Sequence, residues 1–423
     1  MKPPSTARGL LAAVLLVAAA AAILVATRTT LAASGQHRLV FGMWRTRHVL
    51  AAAGLTWLGA LVAVRALSVG AFERALCASL GVGLALVGLE ATGRAVLVDW
   101  AGVFRPESTS KLSFQAVPHL DESGETTPDL ALAWGLPVAP IAYRFRTDSH
   151  GFRNAIDRES ATLYLVGDSY LVAGLLPFEE TVTARVEAAL RRPTMAVALS
   201  GLGPEEEIAV FEGAELDVEG ALVVQFFFEG NDLSDSARWS VGITRTSPPA
   251  RSGFLNSLIV SVQEATQPVE PFVDLRSGRL NGVQYAFRWV GADVFPHLDR
   301  LEPVLGALSA FRTRVESRGG RYAVVFLPSK LRVLGPLCEF TEGALYADVA
   351  TQLSDLPQRL AEWARSEDIP LLDLTPALIA STRAGEVPWF QYDTHWNEIG
   401  HRVAARELVE WSAMEAWSAE AAK

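Results

Sequence analysis

The chain has 423 residues, 50% of them hydrophobic, with 47 acids against 37 bases and two cysteines. That length accommodates about two or three folding units with a sizeable core, and the composition excludes a disordered chain and a disulfide-stapled mini-protein. A net charge of −10 argues against a general nucleic-acid binder, because phosphate contacts need clustered Lys and Arg. The charge is uneven: residues 1–104 carry nine bases and three acids, and the remainder is strongly acidic.

Residues 9–27 contain no charge, and a membrane-crossing helix needs about 20 mostly apolar residues. The rival is a secretory signal peptide, since Lys2 and Arg8 precede the run and Ala32-Ala33-Ser34 offers a small-residue cleavage site. Two further uncharged runs, 49–64 and 75–89, reach spanning length if Arg65, Glu90 and Arg94 snorkel; a buried soluble hairpin is their alternative. Residues 1–103 are therefore expected to form a membrane region of two to three helices, near 9–27, 49–69 and 75–97. Three spans with the N-terminus inside place everything after Asp99 outside the cytoplasm, although Arg28, Arg38, Arg45 and Arg47 then sit in an outer loop, against the positive-inside rule. Cys77 lies in the third run and Cys338 far downstream, so no disulfide is expected.

Residues 104–142 mix Pro, Ser, Thr and Glu without a period and read as a linker or irregular extension. Strand-length apolar runs then alternate with helical patterns. Residues 162–166 precede a helix at 181–192, 195–199 precede 204–216, and 221–228 form the next strand. After a gap, 303–318 reads as a helix, 322–327 as a strand, 353–366 as a helix, 370–374 as a strand and 397–413 as a closing helix. The unbroken hydrophobicity of residues 222–228 predicts a strand covered on both faces, and the alternation predicts a three-layer α/β/α domain with a parallel sheet over 143–417. Residues 233–300, with Pro248-Pro249 and exposed-looking Trp239, Phe254, Phe272, Tyr285, Phe287 and Trp289, break the rhythm as an insertion over one sheet end. It reads either as a substrate-shaping cap or as packing decoration.

In such sheets ligands bind at the C-terminal strand ends. The first strand ends in Gly167-Asp168-Ser169, where a Gly lets the backbone bend and expose a hydroxyl nucleophile; alone this is also an ordinary turn and cap. The second strand leads to Gly201, a source of an unobstructed N–H, and the third to Gly230-Asn231-Asp232, whose Asn can donate to the same point. Near the C-terminus stands Asp393-Thr394-His395, a carboxylate two residues before a base. A second Asp-x-His, Asp148-Ser149-His150, precedes the first strand and ranks below it.

These four blocks in this order resemble the SGNH, or GDSL, hydrolase superfamily over residues 150–405, with Asn397 and Gly400 completing the last block and residues 147–153 resembling the entry segment of membrane-anchored bacterial members. The resemblance implies a flavodoxin-like sheet, Ser169 as nucleophile, His395 as general base and acid, Asp393 as its orienter, and an oxyanion hole of Ser169 N–H, Gly201 N–H and the Asn231 side chain. The superfamily's final block is usually Asp-x-x-His, whereas a single Thr394 separates Asp393 from His395. Asp-x-His followed by Trp is similar to the alginate O-acetyltransferase branch, in which that block precedes the Ser instead of following it.

The function implied is a membrane-anchored serine esterase or deacetylase acting on O-acyl esters of a cell-surface or exported glycan through an acyl-serine. One alternative is a polysaccharide O-acetyltransferase using the same triad with a membrane acyl-donor partner. The other is a non-catalytic glycan-binding module, preferred if Ser169 and His395 stood more than ~6 Å apart. No metal, cofactor or nucleic acid is implied, and the resemblance favours the extracytoplasmic side of a bacterial inner membrane. Among other candidates, His401 reads as structural, Asp168 as a turn acceptor, Lys330 as a solvated surface residue in preference to one at the sheet's active edge, and Glu205-Glu206-Glu207 as first-turn carboxylates complementing a helix dipole.

Overall fold

The computed structural model describes residues 4–29, 39–95, 116–240, 254–266 and 268–420. The cleavage-site candidate Ala32-Ala33-Ser34, linker residues 104–115 and Pro248-Pro249 lie outside them. Two compact units divide the chain: Met1–Ser108 with Arg245–Leu275, and Thr109–Thr244 with Arg276–Lys423.

The first unit contains α1 (Pro4–Ala26), α2 (Thr46–Leu67) and α3 (Val69–Ala95). Within them Thr6–Ala26, Thr46–Leu67 and Val69–Ala91 have mean hydropathies of 2.8, 1.8 and 1.6 and are long and apolar enough to cross a membrane. Their apolar side chains face outward, as Leu11, Val14, Leu80 and Leu84 do. Small residues let α1 and α2 approach closely: a Cβ at Gly59 would lie 3.1 Å from the Ala13 carbonyl oxygen. The Trp44 indole donates to the Leu24 carbonyl at 2.7 Å and fastens their connection. A further apolar helix, Phe254–Thr266, belongs to this unit, with Gln263 Nε2 donating to Thr46 Oγ1 at 2.7 Å. The segment read as an insertion over the sheet is thus divided between the units. Phe272, Tyr285 and Phe287, read as exposed, are buried.

The second unit opens with β1 (Asp121–Thr126), α4 (Asp129–Trp134) and β2 (Ile141–Arg146), so part of the segment read as irregular is an antiparallel hairpin carrying a helical turn. There follow β3 (Leu163–Gly167), α5 (Ser169–Val172), α6 (Val182–Leu190), β4 (Thr194–Ala198), α7 (Pro204–Gly213), β5 (Leu222–Phe228) and α8 (Asp232–Ser240). After a small hairpin, β6 (Ser277–Leu280) and β7 (Val283–Ala286), come α9 (Leu301–Ser317), β8 (Arg321–Leu327), α10 (Lys330–Leu334), α11 (Leu356–Ser366), β9 (Leu371–Asp373), α12 (Thr375–Arg383) and α13 (Glu398–Glu410).

Five strands form one parallel sheet in the order β4-β3-β5-β8-β9. Alternate side chains enter two separate cores. From β5, Val224, Phe226 and Phe228 join α6, α12 and α13 on one face, while Val223 and Phe227 join α7, α9 and α11 on the other. Each such side chain contributes roughly 1.5–3 kcal/mol when fully buried, which is why both faces are covered. The strand order reverses between β3 and β5, and the crevice beyond their carboxyl ends is where a doubly wound sheet binds its ligand.

Candidate active site

Ser169 is the first residue of α5, directly after β3. Asp168 caps this short helix, its Oδ1 accepting the Tyr170 N–H at 3.0 Å. Ser169 Oγ lies 2.8 Å from His395 Nε2, and His395 Nδ1 lies 2.7 Å from Asp393 Oδ1. Asp393 Oδ1 also accepts the His395 backbone N–H at 2.9 Å, and Oδ2 accepts the Asp129 N–H at 2.7 Å. A serine hydroxyl, an imidazole and a buried carboxylate therefore stand in hydrogen-bonded series, the arrangement that moves a proton off an attacking hydroxyl.

The segment after His395 is built to hold it. Asn397 caps α13 with its Oδ1, accepting the N–H groups of Ile399 and Gly400 at 3.0 and 3.2 Å, while Nδ2 donates to the Val387 carbonyl at 2.9 Å. Gly400 is required by close approach, since a Cβ there would meet the Pro388 carbonyl oxygen at 2.5 Å. Tyr170 completes the support: its hydroxyl donates to the Thr394 carbonyl at 2.7 Å, and its ring lies 5.3 Å from the imidazole.

Gly201 and Asn231 line the same cavity as Ser169, His395 and Asp393. Gly201 sits at φ +67°, a left-handed conformation that glycine adopts without strain. Asn231 is buried and donates from Nδ2 to Asp235 Oδ2 at 2.7 Å, which orients the amide. The cavity measures about 270 Å³ and is walled by Leu132, Phe145, Leu175 and Leu176, with Tyr143 and Trp289 half-buried on its lining. A buried Arg153 braces one wall. Its guanidinium donates to the carbonyls of Val172, Ala173 and Leu176 and lies over the Phe145 ring.

Electrostatics follow from three carboxyls around one ring. Burial pulls the His395 imidazole down, but the Asp393 charge and hydrogen bond, with Asp129 and Asp168 nearby, outweigh it and raise the group to about 9. Burial pushes Asp393 up, and the His395 charge and hydrogen bonds overcome this to hold it below the ordinary carboxylate value. Burial, with the Asp393 charge, lifts Asp129 to about 6. Asp168 is raised by burial, and its Oδ2 lies 3.2 Å from Ser169 Oγ, a second acceptor for the hydroxyl proton when the imidazole is charged.

Asp129, Asp393 and His395 have ligand atoms within 4.8 Å of one another. These atoms are satisfied by one another and by Thr394, so the donor set is that of a carboxylate–imidazole relay.

Sequence reading missed Asp129, which follows Thr127-Pro128 in a stretch without periodicity. It misjudged Lys330, which is buried instead of solvated. The Lys330 ammonium donates to the carbonyls of Phe390, Gln391 and Asp393 at 2.6, 2.9 and 3.1 Å, and burial lowers it to about 7. Its place after β8, at the strand ends, was the available signal. His401 is buried away from the cavity, its Nδ1 accepting the Val182 N–H at 3.2 Å, and burial depresses it to about 3. Glu205, Glu206 and Glu207 occupy the first turn of α7, but Glu206 and Glu207 are buried, and Glu207 accepts from Gln225 inside β5. Cys77 and Cys338 are both free.

A doubly wound sheet with this Ser, Asn and Asp-x-His at its switch point defines an SGNH hydrolase-like domain. Residues 297–422 match the ALGX family model, described as the SGNH hydrolase-like domain of the acetyltransferase AlgX, so the chain carries an SGNH domain similar to that of AlgX. No curated protein matches the chain. Among solved structures, a lipolytic protein of the G-D-S-L family from Desulfitobacterium hafniense DCB-2 aligns at 12% identity and a TM-score of 0.31, covering 58% of this chain and 95% of its own. A second aligns at 12% identity and 0.29, covering 59% and 94%.

Proposed function

We propose that this chain is a membrane-anchored serine esterase acting on O-acyl esters of a cell-surface or exported glycan, with its catalytic unit outside the cytoplasm at a bacterial inner membrane. The observation that carries the reading is the unbroken series Ser169 Oγ, His395, Asp393, with separations of 2.8 and 2.7 Å. Such contact lies well inside the separation of ~6 Å beyond which a binding module would be preferred.

Neutral His395 takes the Ser169 proton at Nε2 as Oγ bonds to the ester carbonyl carbon, and the carbonyl electron pair moves onto oxygen. Ser169 N–H, Gly201 N–H and Asn231 Nδ2–H are the donors assigned to that oxyanion; loss of one such donor costs about 3–4 kcal/mol in known acyl-transfer sites. Collapse breaks the bond to the alcohol oxygen, which leaves with the proton from His395. Water then attacks the acyl-serine, giving its proton to His395, and the carboxylic acid departs as Ser169 recovers its hydrogen. Tyr143 and Trp289, which line the same cavity as Ser169, are aromatic residues of the kind that pack against a sugar ring.

The second reading is a polysaccharide O-acetyltransferase, in which a sugar hydroxyl replaces water. The match of residues 297–422 to the AlgX domain favours it, and it requires an acyl donor, supplied by a membrane partner. The test is time-resolved release of acetate and p-nitrophenol from p-nitrophenyl acetate by the detergent-solubilised full chain, with and without oligosaccharides. Joint release that disappears in Ser169→Ala establishes the esterase. Acetylation of an oligosaccharide at the expense of free acetate establishes the transferase, and equal inertness of both proteins across donors and acceptors refutes both.

A further inference from the structure

We propose that Asp129 is a positioning residue of this site, a second carboxylate that clamps the Asp393-Thr394-His395 turn from the opposite side. This rests on the triad reading above. Asp129 is the first residue of α4, and one turn of backbone docks onto the motif. Its N–H donates to Asp393 Oδ2 at 2.7 Å, and the N–H groups of Leu130 and Ala131 both donate to the Tyr392 carbonyl at 3.1 Å. Its side chain takes both donors of Thr394, the N–H on Oδ1 at 2.9 Å and the hydroxyl on Oδ2 at 2.5 Å. Thr394 is the single residue between Asp393 and His395, so fixing both of its donors fixes the path between acid and base.

The Thr394 hydroxyl also lies 3.4 Å from His395 Nδ1. Committing its proton to Asp129 leaves Nδ1 to pair with Asp393 alone. The groups facing this imidazole are Asp393 and Thr394 from its own turn, Asp129 from α4, Asp168 and Tyr170 at the start of α5, and Lys330 of α10 behind Asp393. Removal of the Asp129 charge takes one anion from that set, so the imidazole gives up its proton at lower pH.

The test uses the full chain in detergent with p-nitrophenyl acetate across pH, comparing Asp129→Asn, Thr394→Ser and Thr394→Val with wild type. Asp129→Asn is expected to lower plateau kcat by on the order of 10- to 100-fold and to move the acid limb of kcat/KM to lower pH. Thr394→Ser keeps the hydroxyl and stays near wild type. Thr394→Val loses rate and moves the limb less than Asp129→Asn does, because the Asp129 carboxyl is still there. A second measurement is independent of turnover: NMR titration of labelled histidine, with the His395 resonance assigned by His395→Gln, should show a lower midpoint in Asp129→Asn. An unmoved midpoint and acid limb, or a loss explained wholly by a smaller folded fraction, overturns the proposal. Absence of Ser169-dependent turnover in wild type would instead sink the esterase reading and leave the titration to decide Asp129.

Discussion

The chain holds two Asp-x-His tripeptides, and the same three-residue spacing does two different things. In Asp148-Ser149-His150 the carboxylate is spent on backbone: Oδ1 accepts the N–H groups of His150 and Phe152 at 2.9 and 3.0 Å, and Oδ2 accepts from Asn154 at 2.8 Å. In Asp393-Thr394-His395 the same oxygen accepts the backbone N–H and also the imidazole Nδ1. The first Asp builds a turn; the second builds a turn and holds an imidazole. What separates them is the surroundings. Tyr170, Lys330 and Asp129 fix the second turn so that Nε2 faces Ser169, while the first lies before β3.

The largest test of this contrast is Asp393→Asn. The amide can still accept, but no carboxylate remains to hold the imidazole in the required tautomer or to stabilise its cation, so kcat should fall by on the order of 10³- to 10⁴-fold. Steady-state esterase rates, with thermal unfolding showing a folded protein, check it. Retention of more than a tenth of the activity would break the assignment of Asp393.

The second test removes what anchors the turn. Lys330→Met keeps the stem in its apolar slot but deletes three donors to the carbonyls of Phe390, Gln391 and Asp393. A displaced Asp393 of even about 1 Å predicts a loss of roughly 100-fold in kcat, together with lower stability, because the Phe390 and Asp393 carbonyls lose the ammonium as donor while the Gln391 carbonyl keeps the Ala286 N–H. Unfolding curves and kcat per folded molecule separate the two effects.

These residues also mark where sequence reading stops. Ser169, Gly201, Asn231 and Asp393 with His395 were legible because each follows a strand end or precedes a helix, and chain order alone arrays them along one sheet edge. Asp129 was not: it bonds to Asp393 across 264 residues, from a segment with no periodicity. Lys330 was visible at a strand end, but its burial depends on how the 390–393 loop folds over it, which no local pattern encodes. The buried aromatics Tyr285 and Phe287 looked exposed for the same reason, since they pack into the core cluster that β5, α12 and α13 build, with Phe340 against Phe287.

The third test is pH. In the proposed mechanism His395 must be neutral to accept the Ser169 proton, and its surroundings raise it to about 9. The uncharged fraction therefore grows about tenfold per pH unit below that value, and kcat/KM should climb with pH through the neutral range. A flat profile from pH 6 to 8 would contradict the charge surroundings described for His395.

The smallest effect is expected at the other tripeptide. Asp148→Asn preserves one acceptor oxygen for the His150 and Phe152 amides, but turns an NH₂ toward Asn154 Nδ2, which already donates to the Ala196 carbonyl at 3.0 Å. Two donors facing each other in a buried place cost about 1–3 kcal/mol, visible as a drop in melting temperature of about 2–4 °C per kcal/mol for a unit of this size. The rate per folded molecule should stay within about twofold. If Asp148→Asn instead lowered kcat as steeply as Asp393→Asn while leaving stability intact, the two tripeptides would be functionally equivalent, and His150 would become the candidate base.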